Sequence, residues 1–378
     1  MALSRTITKV IACSVLFGAS ASHASNYVLK DLGVLSGYVS MTGTAINELG
    51  QVAGIATGAN GLNQAFLYDS VNGLVGLGTL GGSSSQAWGI NDAGQVTGFA
   101  QVASGLPHAF IYGSSGMTDL TPGASTFSMG FGINNSGLVV GTSGDKAYSF
   151  DASGAATPLG LSMGGGMPTP LSVTGYAYAV NNNGVSTGYV NFSYKSGAYP
   201  YDMAFTSVTG ANGSNLVPGI SLSTSSSGRA INDNGVIVGS ASFNGLSKAF
   251  VTRGGDLVNL GAFCGGGNAG ASGINNLGQI VGSSQICDGS GNRHGFIVGS
   301  GDEMIDLNSL LAPQDASNWV ITSASAINEV GQITGQGLVN GQLHAYILTP
   351  VPEASTNAMM LLGLLSLGAV TRARRKLK

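Results

Sequence analysis

Residues equipped for chemistry are few in this chain and far apart. Asp145, Asp202, Asp288 and Asp315 are candidate acid–base carboxylates, but no spacing pairs them. Hydrolysis needs such a pair or an activated nucleophile. Three histidines recur in one setting, as His108-Ala109-Phe110, His294-Gly295-Phe296 and His344-Ala345-Tyr346. The matching places elsewhere hold Gln64, Lys146, Met203 and Lys248, which argues against a chemical role for the imidazole. No zinc spacing and no phosphate-cradling glycine motif occurs. The recurring Asn-x-x-Gly turns lack the clustered carboxylates of a calcium loop. No catalytic, cofactor or metal residue is therefore assigned. The remaining candidate is an aromatic insertion, Asn191 to Tyr201. Its Tyr194, Tyr199 and Tyr201 could stack on sugar rings and hydrogen-bond through their hydroxyls. The alternative is that they pack the loop onto its own scaffold.

That scaffold is written seven times. An Ile-Asn or Val-Asn step is followed by one glycine three residues on and a second four further, beginning at Asn47, Asn91, Asn134, Asn181, Asn232, Asn275 and Asn328. Successive asparagines lie 44, 43, 47, 51, 43 and 53 residues apart. In Ala87–Gly98 an apolar run meets Asn91-Asp92-Ala93-Gly94 and then an alternating run, the pattern of two strands joined by a tight hairpin. Asparagine bonds the backbone two residues on, and glycine supplies the left-handed residue of the bulge. The His-Ala-Phe-like segment is a third strand, and runs such as Met117–Leu120 and Leu257–Leu260 a fourth. Asp119, Asp256 and Asp306 are read as caps of the turns between these two strands. Four strands at this period predict an all-β, seven-bladed β-propeller. The last repeat stops after its third strand, at Leu348, and Tyr27–Gly33 fits the missing fourth. An N-terminal strand completing the last blade would seal the ring and hide two sheet edges. The longest connections, at 160–174, 217–228, 308–321 and the tyrosine insertion, fall on one face, where binding usually lives.

The 62 glycines and a charged fraction of 8% fit turn-rich β structure. Residues 1–24 read as a signal peptide, basic at Arg5 and Lys9, apolar from Val10 to Ala21, and cleaved between Ala24 and Ser25. In the body, 25–350, seven Lys/Arg against sixteen Asp/Glu leave a charge near −9. This argues against nucleic acid and anionic membrane as partners. After export, an oxidising compartment permits Cys264 and Cys287 to pair; His294 is the only further ligand nearby, so a structural disulfide is expected. Residues 351–378 open with Val351-Pro352-Glu353 and continue uncharged from Ala354 to Thr371, for 18 residues. They end in Arg372-Ala373-Arg374-Arg375-Lys376-Leu377-Lys378. A full membrane span needs ~20 residues, so a hydrophobic helix here sits at the lower limit.

The order of motif, apolar stretch and basic end resembles the PEP-CTERM sorting signal of Gram-negative bacteria. That likeness implies an exosortase-type processing enzyme as partner and a transient inner-membrane anchor, with Ala354 standing where the family motif has a proline. The hairpin motif, the His-Ala-Phe-like motif and Leu77-Gly78-Thr79-Leu80-Gly81-Gly82 together resemble the HAF-repeat extracellular proteins. That likeness implies export and display at the cell surface or in the matrix. The expected function is a non-enzymatic propeller binding exopolysaccharide or surface proteins; the alternative is a secreted enzyme acting on polysaccharide.

Overall fold

A computed structural model describes residues 27–151, 153–161, 172–193, 202–208, 214–217, 225–299 and 301–351. Seven four-stranded antiparallel sheets follow one another along the chain. Their inner strands are Ser40–Ile46, Gly81–Ile90, Ser128–Ile133, Ser172–Val180, Ser226–Ile231, Ala269–Ile274 and Trp319–Ile327. Each opens a blade of a seven-bladed propeller. The seventh blade has three C-terminal strands, Trp319–Ile327, Ile333–Val339 and Gln342–Pro350, and takes its outer strand from Tyr27–Asp31. The sealing strand pairs in register from Tyr27 with Pro350 to Asp31 with Tyr346. His344 Nδ1 lies 2.9 Å from Asp31 Oδ1, adding a side-chain latch. Leu311, in the long connection entering this blade, bridges Tyr27. The predicted C-terminal helix and the residues of the predicted signal peptide lie outside the described residues. Among the described residues no helix is long and apolar enough to cross a membrane.

The repeated asparagine does more than shape its turn. In the second blade Gly94 has φ 74°, Gly94 N–H donates to Asn91 O, and Asn91 N–H to Gln95 O, giving the expected bulged hairpin. All seven asparagine side chains are buried, and each Oδ1 accepts from the backbone N–H four residues on, at 2.8–3.0 Å. Each Nδ2 donates to the carbonyl of the asparagine one blade further, at 2.9–3.1 Å, and Asn328 closes the circle on Asn47. A second circle runs beside it. The backbone N–H of the next residue in each turn reaches the side-chain oxygen of its counterpart one blade on, from Glu48 through Asp92, Asn135, Asn182, Asp233 and Asn276 to Glu329 and back. A buried hydrogen bond contributes about 1 kcal/mol net, and leaving one of its partners unpaired costs more. Seven such buried bonds and seven exposed ones, in two closed circles, tie every blade to both neighbours.

Apolar packing lies between blades as well as within them. Ala53 and Ala65 of the first blade share a cluster with Ala87, Val96 and Phe110 of the second. The aromatic residue of the third strand is fully buried in Phe66, Phe110, Phe205, Phe250, Phe296 and Tyr346. The histidines beside them are structural: His108 Nδ1 meets Asp119 Oδ2 at 2.8 Å, and His294 Nδ1 meets Asp306 Oδ2 at 2.7 Å. This corrects the turn-cap reading of those aspartates. Asp119 and Asp306 end the outer strand, where each binds the imidazole and also accepts the backbone N–H two residues on. Asp256 alone starts its outer strand after the turn, as expected.

Candidate functional site

The pairing of inner and second strands slips by one residue at the same place in every blade. The residue skipped stands three before the ring asparagine. It is Thr44, Trp88, Phe131, Tyr178, Arg229, Ser272 and Ser325 in turn. All seven line an axial cavity of about 1020 Å³. A bulge turns the extra residue out of the ladder and re-aims its side chain. The motif's second glycine makes room for it. A Cβ at Gly188 would stand 1.8 Å from Tyr176 O, and one at Gly98 1.9 Å from Gln86 O. One constant glycine thus points one variable residue of each blade at the axis.

The resulting wall is lopsided. Blades two, three and four contribute an aromatic arc. Ring centroids are 6.2 Å apart for Trp88–Phe131 and 5.3 Å for Phe131–Tyr178, and both pairs are edge-to-face. Tyr176 and Tyr189 extend the arc, with Tyr189 5.3 Å from Tyr176 and 5.9 Å from Tyr178. Arg229, in blade five, lies over the Tyr178 ring at 4.3 Å. Small hydroxyl side chains fill the rest, leaving open space opposite the rings. Burial pushes the Tyr176, Tyr178 and Tyr189 hydroxyls upward, Tyr189 furthest, with Asp145 adding to Tyr176 and Asp202 to the other two. The Arg229 guanidinium works the other way on Tyr178 and Tyr189. These phenols therefore keep their protons at neutral pH and serve as hydrogen-bond donors. Among the described residues, those lining the cavity include no Asp, Glu or His.

The opposite end of the axis is narrow, a cavity of about 170 Å³ walled by the two circles. Its carboxylates behave unalike. Burial holds Glu48 above the usual range, with Asp92 and Glu329 adding to it against a hydrogen bond from the Glu329 backbone. Burial acts the same way on Asp233, but hydrogen bonds from the Asn182 backbone and side chain and from Asn276 outweigh it and hold its pKa low. Among the described residues, no group of three or more His, Cys, Asp or Glu is placed to hold a metal ion.

The residues singled out in the sequence fall largely elsewhere. Tyr194, Tyr199 and Tyr201 lie outside the described residues, between the strands Val185–Ser193 and Met203–Val208. Ala24, Ser25, Pro352 and Glu353 also lie outside them, while Val351 is exposed just beyond the last strand. Cys264 and Cys287 are joined as a disulfide at the wide mouth, linking the loop that enters blade six to the one joining its second and third strands. Asp288 and Asp315 stand apart, on a loop of blade six and on the short helix Pro313–Ala316. The channel residues escaped notice, although the signal was present: unlike side chains at one fixed place before an otherwise constant motif.

Solved structures of similar shape agree with this architecture. A Mycobacterium tuberculosis puromycin-hydrolyzing peptidase superposes with a TM-score of 0.54 at 11% identity, over 83% of this chain and 51% of its own. A puromycin hydrolase gives 0.52 at 10% identity, over 84% and 52%. The chain spans about half the length of these structures, and at such identity the likeness shows the fold alone. No curated protein matches the sequence. Residues 350–376 match the PEP-CTERM protein-sorting motif, the mark of an exported protein and the signal that an exosortase recognises. Residues 157–345, half of the chain, match the profile of a family described as protein of unknown function, DUF3466, and the protein belongs to that family.

Proposed function

We propose that this exported propeller binds a carbohydrate in its axial channel and leaves it intact. The observation that carries the reading is the aromatic arc of Trp88, Phe131 and Tyr178, extended by Tyr176 and backed by Tyr189, with the arc facing open space lined with hydroxyls. Apolar faces of sugar rings stack on such side chains, while phenols, serines and threonines satisfy the sugar hydroxyls. Cleavage of polysaccharide, the other reading, would need an acid–base pair. The described residues of the lining include no Asp, Glu or His, which supports binding instead. Residence at the cell surface or in the extracellular matrix, with exopolysaccharide as the polymer met there, completes this reading. The test is co-elution of the purified protein with exopolysaccharide from the producing cells. Tyr178→Ala and Phe131→Ala should each weaken binding about tenfold, which is about 1.4 kcal/mol. Unchanged affinity would sink the channel as the site, and shortened polymer would restore the enzyme reading.

A further inference from the structure

Charge is sorted along the propeller axis. The body carries an excess of acid near −9, yet among the described residues the wide cavity is lined by two arginines and no carboxylate. Four carboxylates, Glu48, Asp92, Asp233 and Glu329, stand at the narrow end instead. Most other described cations are already engaged. Lys248 is buried and donates to Gly265 O and Gly267 O, Arg253 pairs with Asp302, and Lys30 lies over the Tyr68 ring. Arg229 and Arg293 have no ion-pair partner among the described residues. Arg293 is half-buried at the wide mouth, its guanidinium held by the Ser283 hydroxyl at 3.1 Å and the Ser283 carbonyl at 2.7 Å. Burial lowers its pKa, the sign of a cation kept partly from water with no compensating charge. Arg229 Cζ stands 4.3 Å from the centroid of the Tyr178 ring, and its five N–H donors suit a planar anion.

We infer that the channel selects acidic saccharides, with Arg229 and Arg293 receiving the carboxylate or sulfate of a sugar unit stacked on the aromatic arc. This rests on the carbohydrate reading above and narrows it to a chemical class. Asp145 and Asp202 act on the tyrosines and Arg229 acts against them on Tyr178 and Tyr189, so an anion is best received beside Arg229. A bidentate arginine contact also fixes orientation, which stacking alone does not.

The test is calorimetric titration of the purified protein with galacturonate, glucuronate and mannuronate tetramers. Each is paired with its carboxyl-reduced, neutral counterpart. At least one acidic tetramer should bind tenfold or more tightly than its neutral form, and the difference should shrink in high salt. In Arg229→Gln and in Arg293→Gln the ratio of acidic to neutral affinity should fall toward one, and a ratio unchanged in both would overturn the assignment of the anion to these two residues. Equal affinity within every pair would overturn the acidic selectivity and leave the carbohydrate reading standing. Binding of none of the six would overturn both.

Discussion

The two ends of the propeller axis are built from adjacent residues of one motif and follow opposite rules. At the narrow end the same amino acid recurs in all seven blades, because each asparagine must meet the next in one geometry. Three residues earlier, at the bulge, no single amino acid recurs round the ring: an indole, a phenyl, a phenol, a guanidinium and small hydroxyls stand at equivalent places. A ring of identical contacts closes the structure; a ring of unlike ones, held on that closure, is free to recognise. Identity in the repeat therefore marks scaffold, and departure from it marks the site.

The sharpest way to break this separation is to disturb the glycine on which both ends depend. Gly188→Ala sets a Cβ against Tyr176 O and forces the bulge that carries Tyr178. Stability should fall by about 3 kcal/mol, read from the urea midpoint, and saccharide binding should be lost with it. Asn181→Ala should separate the two ends. It removes the bond to Asn232 O and leaves the Asn183 and Val185 N–H groups without their acceptor. A loss of about 2 kcal/mol in the same assay, with affinity unchanged, is expected. The smallest effect concerns the acidic circle. Burial, with Asp92 and Glu329, raises Glu48, so the folded protein holds this proton more tightly than the unfolded chain does. Such a group favours folding below the ordinary carboxyl pKa, and that contribution disappears as pH rises through the higher folded value. Glu48→Gln should therefore raise Tm at pH 7, and the gain should vanish below about pH 4. A gain that persisted at low pH would refute the assignment.

Architecture was largely legible because its determinants are local. The Asn-x-x-Gly turn, the aromatic third strand and the split last blade are each contained in a few consecutive residues. The circles were only half legible, since the Oδ1 contact is local but Nδ2 reaches a carbonyl between 43 and 281 residues away in sequence. The channel was hidden for a further reason. Trp88 and Tyr178 read as ordinary strand residues until the slip opposite Gly98 and Gly188 is seen, and that slip exists only once the two strands are paired. Length and aromatic content point to Tyr194, Tyr199 and Tyr201, which lie outside the described residues, whereas the channel wall takes one residue from each of seven distant segments.

The register of the sealing strand also sets a direction. Tyr27 faces Pro350, and Pro350 lies beside the turn at Gly331, so the first and last strand residues of the propeller meet next to the asparagine circle. A segment joined at either place is attached at the foot of the propeller, at the end of the axis away from the aromatic mouth.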